Sequence, residues 1–401
     1  MLIGIVGKPS SGKSTFLNAA CLTASKTGDY PFTTIDPVPG TGYVRIPCAC
    51  KELDVEDNPQ NSICIDGTRL VPINLLDVAG LVPDAWQGRG LGNKLLDDLR
   101  RADVLIHVID FSGSLDADGN NIDRGSYDPE KDIEFLDREI VKWMEQIVSK
   151  DWSKLSRTSE AEKIPLDKLL ADKLTGLKIN QNQIRKALTE SKLNVNIPTR
   201  WTDEELYSFL SLLRRIAKPM ILAANKIDKE GSDDFYTRIK EKYGADIIPC
   251  SALTEFNLRK LAEKEIISYT PGDADFKILM EDKLSDKDKE AMNKIKTNIL
   301  QKYGSTGVQA LINRAVFDIM DVISVYPVED QHKYTDHNGN VLPDVYLVRK
   351  GTTAREFAGM IHQDLAKSFI NAILVKTQRR IGENYELEDG DIIKINAAEA
   401  H

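Results

Sequence analysis

The stretch "LIGIVGKPSSGKST" at residues 2–15 limits the fold of this chain more than any other part of it. An apolar run from Leu2 to Val6 leads into Gly7, then Gly12-Lys13-Ser14, and a helix-compatible "TFLNAACL" follows. This is G-x-x-x-x-G-K-[ST] with the strand before it and the helix after it that the motif needs. The glycines let backbone amides wrap a row of phosphates, and the helix N-terminus adds the positive end of its dipole. The expected fold class is therefore α/β, beginning with a P-loop NTPase domain. Gly7, Lys8, Ser11, Gly12, Lys13, Ser14 and Thr15 form the expected phosphate site; Lys13 reaches the β and γ phosphates as a catalytic cation, and Ser14 meets Mg²⁺.

A second buried-strand pattern, "PMILAANKIDKE", ends in Asn225-Lys226-Ile227-Asp228. An Asp at that point accepts two parallel hydrogen bonds from the ring N–H and the exocyclic amine of guanine, while the lysine stem packs on the ring; adenine offers no such donor pair. Farther on, "DIIPCSALTEFNL" carries Ser251, Ala252 and Leu253 at a strand end, where a backbone amide can meet the guanine carbonyl. Between the two motifs Asp77 closes the strand-like "VPINLLD" and forms D-x-x-G with Gly80. Asp77 is expected on the outer side of the Mg²⁺, and the Gly80 amide is expected to sense the γ-phosphate. The first switch falls in "GDYPFTTIDPVPG", where Thr33 or Thr34 completes the metal shell. Ras-like GTPases place a water-orienting glutamine directly after D-x-x-G, and here that position is Leu81, so the role passes either to a residue from a partner or to a polar group such as Gln87 or Arg89.

The chain has 401 residues, enough for two or three domains, and a net charge of −9 that gives no whole-molecule attraction to nucleic acid. Any RNA contact must come from local basic pairs such as Arg100/Arg101, Arg214/Arg215 or Arg379/Arg380. Five cysteines without framework spacing, and a start with no signal-peptide pattern, lead to the expectation of a reducing cytoplasm. No apolar run is long enough for a membrane span. Cys48, Cys50 and Cys64 suggest metal ligands, but the sequence displays no clustered fourth ligand, so a structural metal is not expected there. His332, His337 and His401 have no ligand spacing, and His362 reads as an ordinary helix residue.

"YPFTTIDPVPG" and "DVAGLVPDAWQGRGLGNKLLDDLRRADVLIHVID" resemble the Obg-like P-loop GTPases, in particular the YchF-related branch of archaeal and eukaryotic type. The resemblance implies a Ras-like domain, selects Thr34 as both metal ligand and catalytic residue, and makes an apolar residue at Leu81 compatible with hydrolysis. Family members that prefer ATP have Glu at the last position of N-K-x-D. Asp228 is retained here, so GTP is the expected nucleotide. Ser10 stands where many relatives have an asparagine that helps bind an activating potassium ion.

The sequence divides into a first part of the G domain at 1–110, a helical insertion at 111–218, the second part of the G domain at 219–274, a helical linker at 275–320 and a β-grasp domain at 321–401. In the insertion Ile133, Leu136, Ile140, Trp143 and Ile147 recur at helical spacing after Asp128-Pro129, and Thr202 with Glu205 forms a capping box. "SDKDKEAMNKIKTNILQKYG" reads as a helix capped by Ser285 and closed by Gly304. Gly351-Thr352-Thr353 before a helix and Glu388-Asp389-Gly390-Asp391 before a last strand resemble a TGS module. The leading expectation is a slow Mg²⁺-dependent GTPase, favoured as a monomer, that times an association with the ribosome or RNA. The alternatives are an ATPase of YchF type and a nucleotide-gated RNA or ribosome-binding regulator with incidental turnover.

Overall fold

In the computed structural model the described residues are 1–21, 40–78 and 98–398. Their first sheet has seven strands: β1 Leu2–Val6, β2 Gly40–Pro47, β3 Ile63–Ile65, β4 Thr68–Asp77, β5 Val104–Asp110, β6 Met220–Asn225 and β7 Ile247–Pro249. The order is β2-β4-β1-β5-β6-β7, with β3 also paired to β4. The strands from β4 to β7 run parallel and β2 and β3 antiparallel to β4, so the P-loop domain is a Ras-like sheet. The central strands read as unbroken apolar runs because both of their faces are covered; every residue of β5 is buried.

Register gathers the motifs at one end of this sheet. Ile5 pairs with Asp77 and Asp110 pairs with Asn225, so Gly7, Asp77, Asp110 and Asn225 stand together at or just beyond the carboxyl ends of four parallel strands. Open α/β sheets bind ligands at that end.

One face of the sheet is covered by the helices of the 111–218 segment. Ile133, Leu136 and Ile140 of the helix Glu130–Ser149, and Leu206, Phe209, Leu210 and Leu213 of the helix Asp203–Ala217, are buried as their spacing requires. They share a core with Val6, Leu76, Val78 and Leu105 of the sheet region, apart from Ile133, which packs in a neighbouring cluster with Phe111 and Ile227. Thr202 and Glu205 make the reciprocal capping box that starts the second of these helices. Arg214, expected as half of a basic surface pair, is only 6% exposed and forms an ion pair with Asp137. Its helix turns that position inward beside the buried Leu213, so it offers no surface charge to RNA.

The other face carries Phe16, Ala19 and Ala20 of the helix Lys13–Cys21, with Val308, Leu311 and Ile312 of the short helix Val308–Asn313 and Val316 just beyond it. Ahead of these, Ser285 caps its helix together with Asp288, and Gly304 ends that helical run in the left-handed conformation. After an antiparallel pair of two-residue strands, β8 Ile267–Ser268 and β9 Lys277–Ile278, the C-terminal domain carries β10 Val322–Val328, β11 Tyr346–Arg349, β12 Phe369–Leu374, β13 Arg379–Ile381 and β14 Asp391–Ala397. Their order is β11-β10-β14-β12-β13, and the β10–β14 pair alone is parallel. The helix Ala354–Ile361, boxed by Thr353 and Glu356, packs Phe357 and Ala358 toward this sheet, which completes the β-grasp of a TGS domain. No helix among the described residues is long and apolar enough to cross a membrane.

Candidate functional site

The phosphate loop is held by contacts that leave no room for side chains at two of its glycines. A Cβ on Gly7 would stand 2.3 Å from the Val108 carbonyl oxygen, and one on Gly12, whose φ is +103°, would stand 2.3 Å from Asn225 Nδ2. Only glycine fits either position. The N–H of Phe16 donates to the Gly12 carbonyl at 2.8 Å, which starts the helix directly after the loop. Lys13 Nζ donates to the Lys8 carbonyl at 2.9 Å, folded over the loop. Burial lowers the pKa of its ammonium, and the Asp77 carboxylate opposes that shift.

Asn225 joins the loop to the base motifs. Its Nδ2 donates to the Ser11 carbonyl at 2.9 Å, and its Oδ1 accepts the Ala252 N–H at 3.1 Å. Ser251 Oγ lies 2.7 Å from Asp228 Oδ1 and donates to it, and its own N–H donates to the Thr306 carbonyl at 2.8 Å. Asp228 Oδ2 is 3.0 Å from Lys229 Nζ. Lys226 has φ +63°, a strained backbone that sends its side chain back toward the sheet, where Nζ is 3.1 Å from Asp110 Oδ2. Ala252 is buried, whereas Leu253 is 53% exposed. The expected residues of the phosphate and base motifs therefore converge at one end of the sheet. Thr33, Thr34, Gly80, Leu81, Gln87 and Arg89 lie outside the described residues.

Lys8 has a different environment from its neighbours in the loop. Its Nζ is 2.8 Å from Asp132 Oδ2, donates to the Leu115 carbonyl at 3.1 Å and lies 4.0 Å from the centre of the Tyr127 ring. The ammonium is directed into the 111–218 segment, which leaves the backbone of Lys8 as its part in an anion site. Burial raises the Asp132 carboxyl above its ordinary pKa, opposed by Lys8. The Lys8–Asp132 link and the close approach of Gly119 to Pro9 tie the loop to this segment; a Cβ on Gly119 would meet the Pro9 carbonyl oxygen at 2.6 Å.

Two further residues escaped the sequence reading. Asp110 is buried and accepts from the Ser112 N–H at 2.9 Å, from Ser112 Oγ at 2.5 Å and from Ser114 Oγ at 3.0 Å, so it is a rigid anchor for Lys226. Burial alone would raise its carboxyl, but the Ser112 hydroxyl and the Lys226 ammonium hold it below the ordinary range. Its place at the end of a strand beside the phosphate loop was the available signal. His107 lies inside β5 and is fully buried, which lowers its pKa to about 3, with Lys13, Arg214 and Lys8 adding to the shift. An apolar strand pattern gives no warning of such a ring.

Residues 2–153 match the family described as 50S ribosome-binding GTPase, residues 223–330 match Obg-like GTPase YGR210-like, G4 motif-containing domain, and residues 332–397 match the TGS domain. The chain is 47% identical over 398 residues to an uncharacterized GTP-binding protein of Methanocaldococcus jannaschii, covering 99% of each. It superposes on the crystal structure of a GTP-binding protein from Pyrococcus horikoshii with a TM-score of 0.75 and 39% identity, over 99% of this chain and 100% of that one. It shares its fold with the YchF GTPase of Schizosaccharomyces pombe, at a TM-score of 0.58 and 22% identity, over 99% and 97% of the two chains.

Proposed function

The chain is a GTP-binding member of the Obg-like, YchF-related family of P-loop GTPases with a C-terminal TGS domain, and on that premise we propose that it hydrolyses GTP to GDP and phosphate, slowly when alone. The observation that carries this reading is the Asn225 bridge, because one side chain fixes the distance between the phosphate loop and the Ser251-Ala252 turn. A nucleoside triphosphate that fills both ends is held along its whole length, and orientation of this kind lowers the barrier to in-line attack by water.

Asp228 reads guanine through its two carboxylate oxygens, with Ser251 holding it in place. Lys13, already desolvated, meets the β and γ phosphate oxygens and stabilises the charge that develops there. The fold family implies Mg²⁺; the Ser14 hydroxyl and that of Thr34 would be hard oxygen donors of the kind this ion takes, and the Asp77 carboxylate beside Lys13 would hold the ion from its outer sphere. When bound, the ion neutralises charge on the β and γ phosphate oxygens. The Gly80 amide senses the γ-phosphate. Leu81 has no polar side-chain atom with which to orient water, so the attacking water is positioned by a group that a partner supplies or by a polar side chain of this chain such as Gln87 or Arg89. Hydrolysis then serves as a timer for an association with the ribosome or RNA. The TGS domain supports this reading through Arg379 and Arg380, both exposed on the edge strand β13.

The test is turnover of GTP and ATP by the purified chain, with and without ribosomes. GTP-selective turnover that ribosomes raise is the expected result; binding of GTP without turnover in any condition overturns the hydrolase. Asp228→Asn sharpens the guanine assignment, since an amide presents one donor and one acceptor and matches xanthine instead. The expected outcome is a loss of GTP affinity of about 100-fold or more with a gain for XTP, and unchanged GTP binding would remove Asp228 from the base site.

A further inference from the structure

The three cysteines that lacked a fourth partner in the sequence acquire one in the fold. Cys48, Cys50, Asp57 and Cys64 each bring one ligand atom into a group in which all lie within 4.8 Å of one another. Cys48 caps the short helix Ala49–Leu53, Cys50 is inside it, Cys64 is on β3, and Asp57 comes from the loop between. Cys50 Sγ and Cys64 Sγ are 3.9 Å apart, and Cys48 Sγ is 3.1 Å from Asp57 Oδ2. Four ligands at about 2.3 Å around a tetrahedral ion are about 3.8 Å from one another, so these separations need only small adjustments. All five cysteines of the chain are free, and 3.9 Å is far outside disulfide bonding.

We propose that Cys48, Cys50, Cys64 and Asp57 bind one zinc ion, a structural site separate from the nucleotide pocket, that fastens the C-terminal domain to the G domain. A packed core would fill this volume with aliphatic groups, whereas three thiols with one carboxylate are a donor set that the borderline-soft Zn²⁺ accepts. Arg69 supplies the outer contact. It has 0% side-chain exposure, and its Nη1 is 2.6 Å from Asp57 Oδ2, the oxygen that also faces Cys48 Sγ, so the guanidinium fixes the orientation of the carboxylate within the cluster. Three thiolates, a carboxylate and Zn²⁺ sum to −2, and the buried guanidinium offsets half of that charge.

The link to the C-terminal domain runs through the same residues. Arg69 Nη2 also donates to the Leu342 carbonyl. The loop that carries Asp57 donates from Asn58 N–H to the Val341 carbonyl at 2.8 Å and from Gln60 N–H to the Pro343 carbonyl at 2.7 Å, while Asn61 bonds Val345 in both directions at 3.0 Å. An ion that fixes residues 48–64 therefore fixes the surface on which residues 341–345 dock.

The experiment uses the full chain, reduced, stripped by a chelator and titrated with Co²⁺, then Zn²⁺. The expected result is a tetrahedral cobalt–thiolate spectrum that saturates at about one equivalent and is bleached by about one equivalent of Zn²⁺. Zinc also shields three of the five cysteines from alkylation. Asp57→Asn lowers cobalt affinity about 10- to 100-fold while keeping the thiolate-to-cobalt band; Cys64→Ser weakens that band itself. Absence of the cobalt spectrum in the reduced wild-type chain overturns the site whatever the variants do. Zinc binding that leaves hydrogen exchange at 341–345 unchanged overturns the fastening role.

Discussion

The two faces of the central sheet are closed by different physics. On the side of the 111–218 segment, Leu76, Leu105, Leu136, Ile140 and Leu210 pack as a continuous apolar layer, and the charges among it, Lys8 with Asp132 and Arg214 with Asp137, are paired. On the side of the C-terminal domain an apolar layer is also present, but its border is a hydrogen-bonded seam along the edge strand β2. Gln309 Nε2 donates to the Tyr43 carbonyl at 2.8 Å; Asn313 accepts the Arg45 N–H at 2.9 Å and donates to the Arg45 carbonyl at 2.6 Å. Two side chains on one helix thus do for β2 what a neighbouring strand would do, and they remove an exposed edge. Apolar layers set how much surface is buried; a seam of directional bonds sets which register is allowed.

The largest effect that distinguishes the faces is expected from Asp132→Ala. It leaves the Lys8 ammonium buried and without its carboxylate, at a cost of about 3–5 kcal/mol in chemical denaturation. A loss below 1 kcal/mol would mean that Lys8 escapes to solvent and that the phosphate loop is not anchored to the helical segment. Asn313→Ala removes both bonds to Arg45 and leaves a backbone donor and acceptor at the seam; a cost of about 1–3 kcal/mol is expected, with faster hydrogen exchange confined to β2 and its neighbours. Uniform acceleration over the whole chain would instead make the seam an ordinary part of one core.

His107 sharpens the comparison through pH. In the fold its pKa is lowered to about 3, whereas its ordinary value is 6.5, so below 6.5 the unfolded chain takes up a proton that the folded chain refuses. Stability attributable to this ring is complete above 6.5 and falls as the pH drops through the window toward 3. At pH 5.5 the loss amounts to about 1.4 kcal/mol relative to His107→Leu. Parallel pH profiles for the two proteins would show that the ring is hydrated. The smallest effect belongs to Lys376→Ala, which removes the exposed pair with Glu52 across the C-terminal seam. An exposed ion pair is worth about 0–1 kcal/mol, and a larger loss would show that charge, together with the hydrogen bonds, holds this face.

Much of the candidate site is legible in the sequence because its chemistry is local. The proposed phosphate loop needs Gly7, Gly12, Lys13 and Ser14 at fixed spacing, and the proposed guanine site needs Asn225, Lys226 and Asp228 at a strand end. Helical periodicity likewise placed Leu136 and Ile140, and the capping box placed Thr202, because both depend on neighbours within one or two turns. The long-range partners were not legible. Nothing about residue 8 announces Asp132, and Arg214 looked like surface charge until its helix was packed.

The sequence by itself therefore determined the P-loop architecture and the expected nucleotide class, since both follow from backbone demands and hydrogen-bonding groups within short windows, and it disclosed the β-grasp ending through the resemblance of its motifs to a TGS module. Tertiary structure decided the rest. It chose which carboxylate neutralises Lys8, which side chains cover the edge of β2, and that Asp57 joins Cys48, Cys50 and Cys64. These are meetings of residues brought together by strand register and helix packing, and a short sequence window does not contain the distance between them.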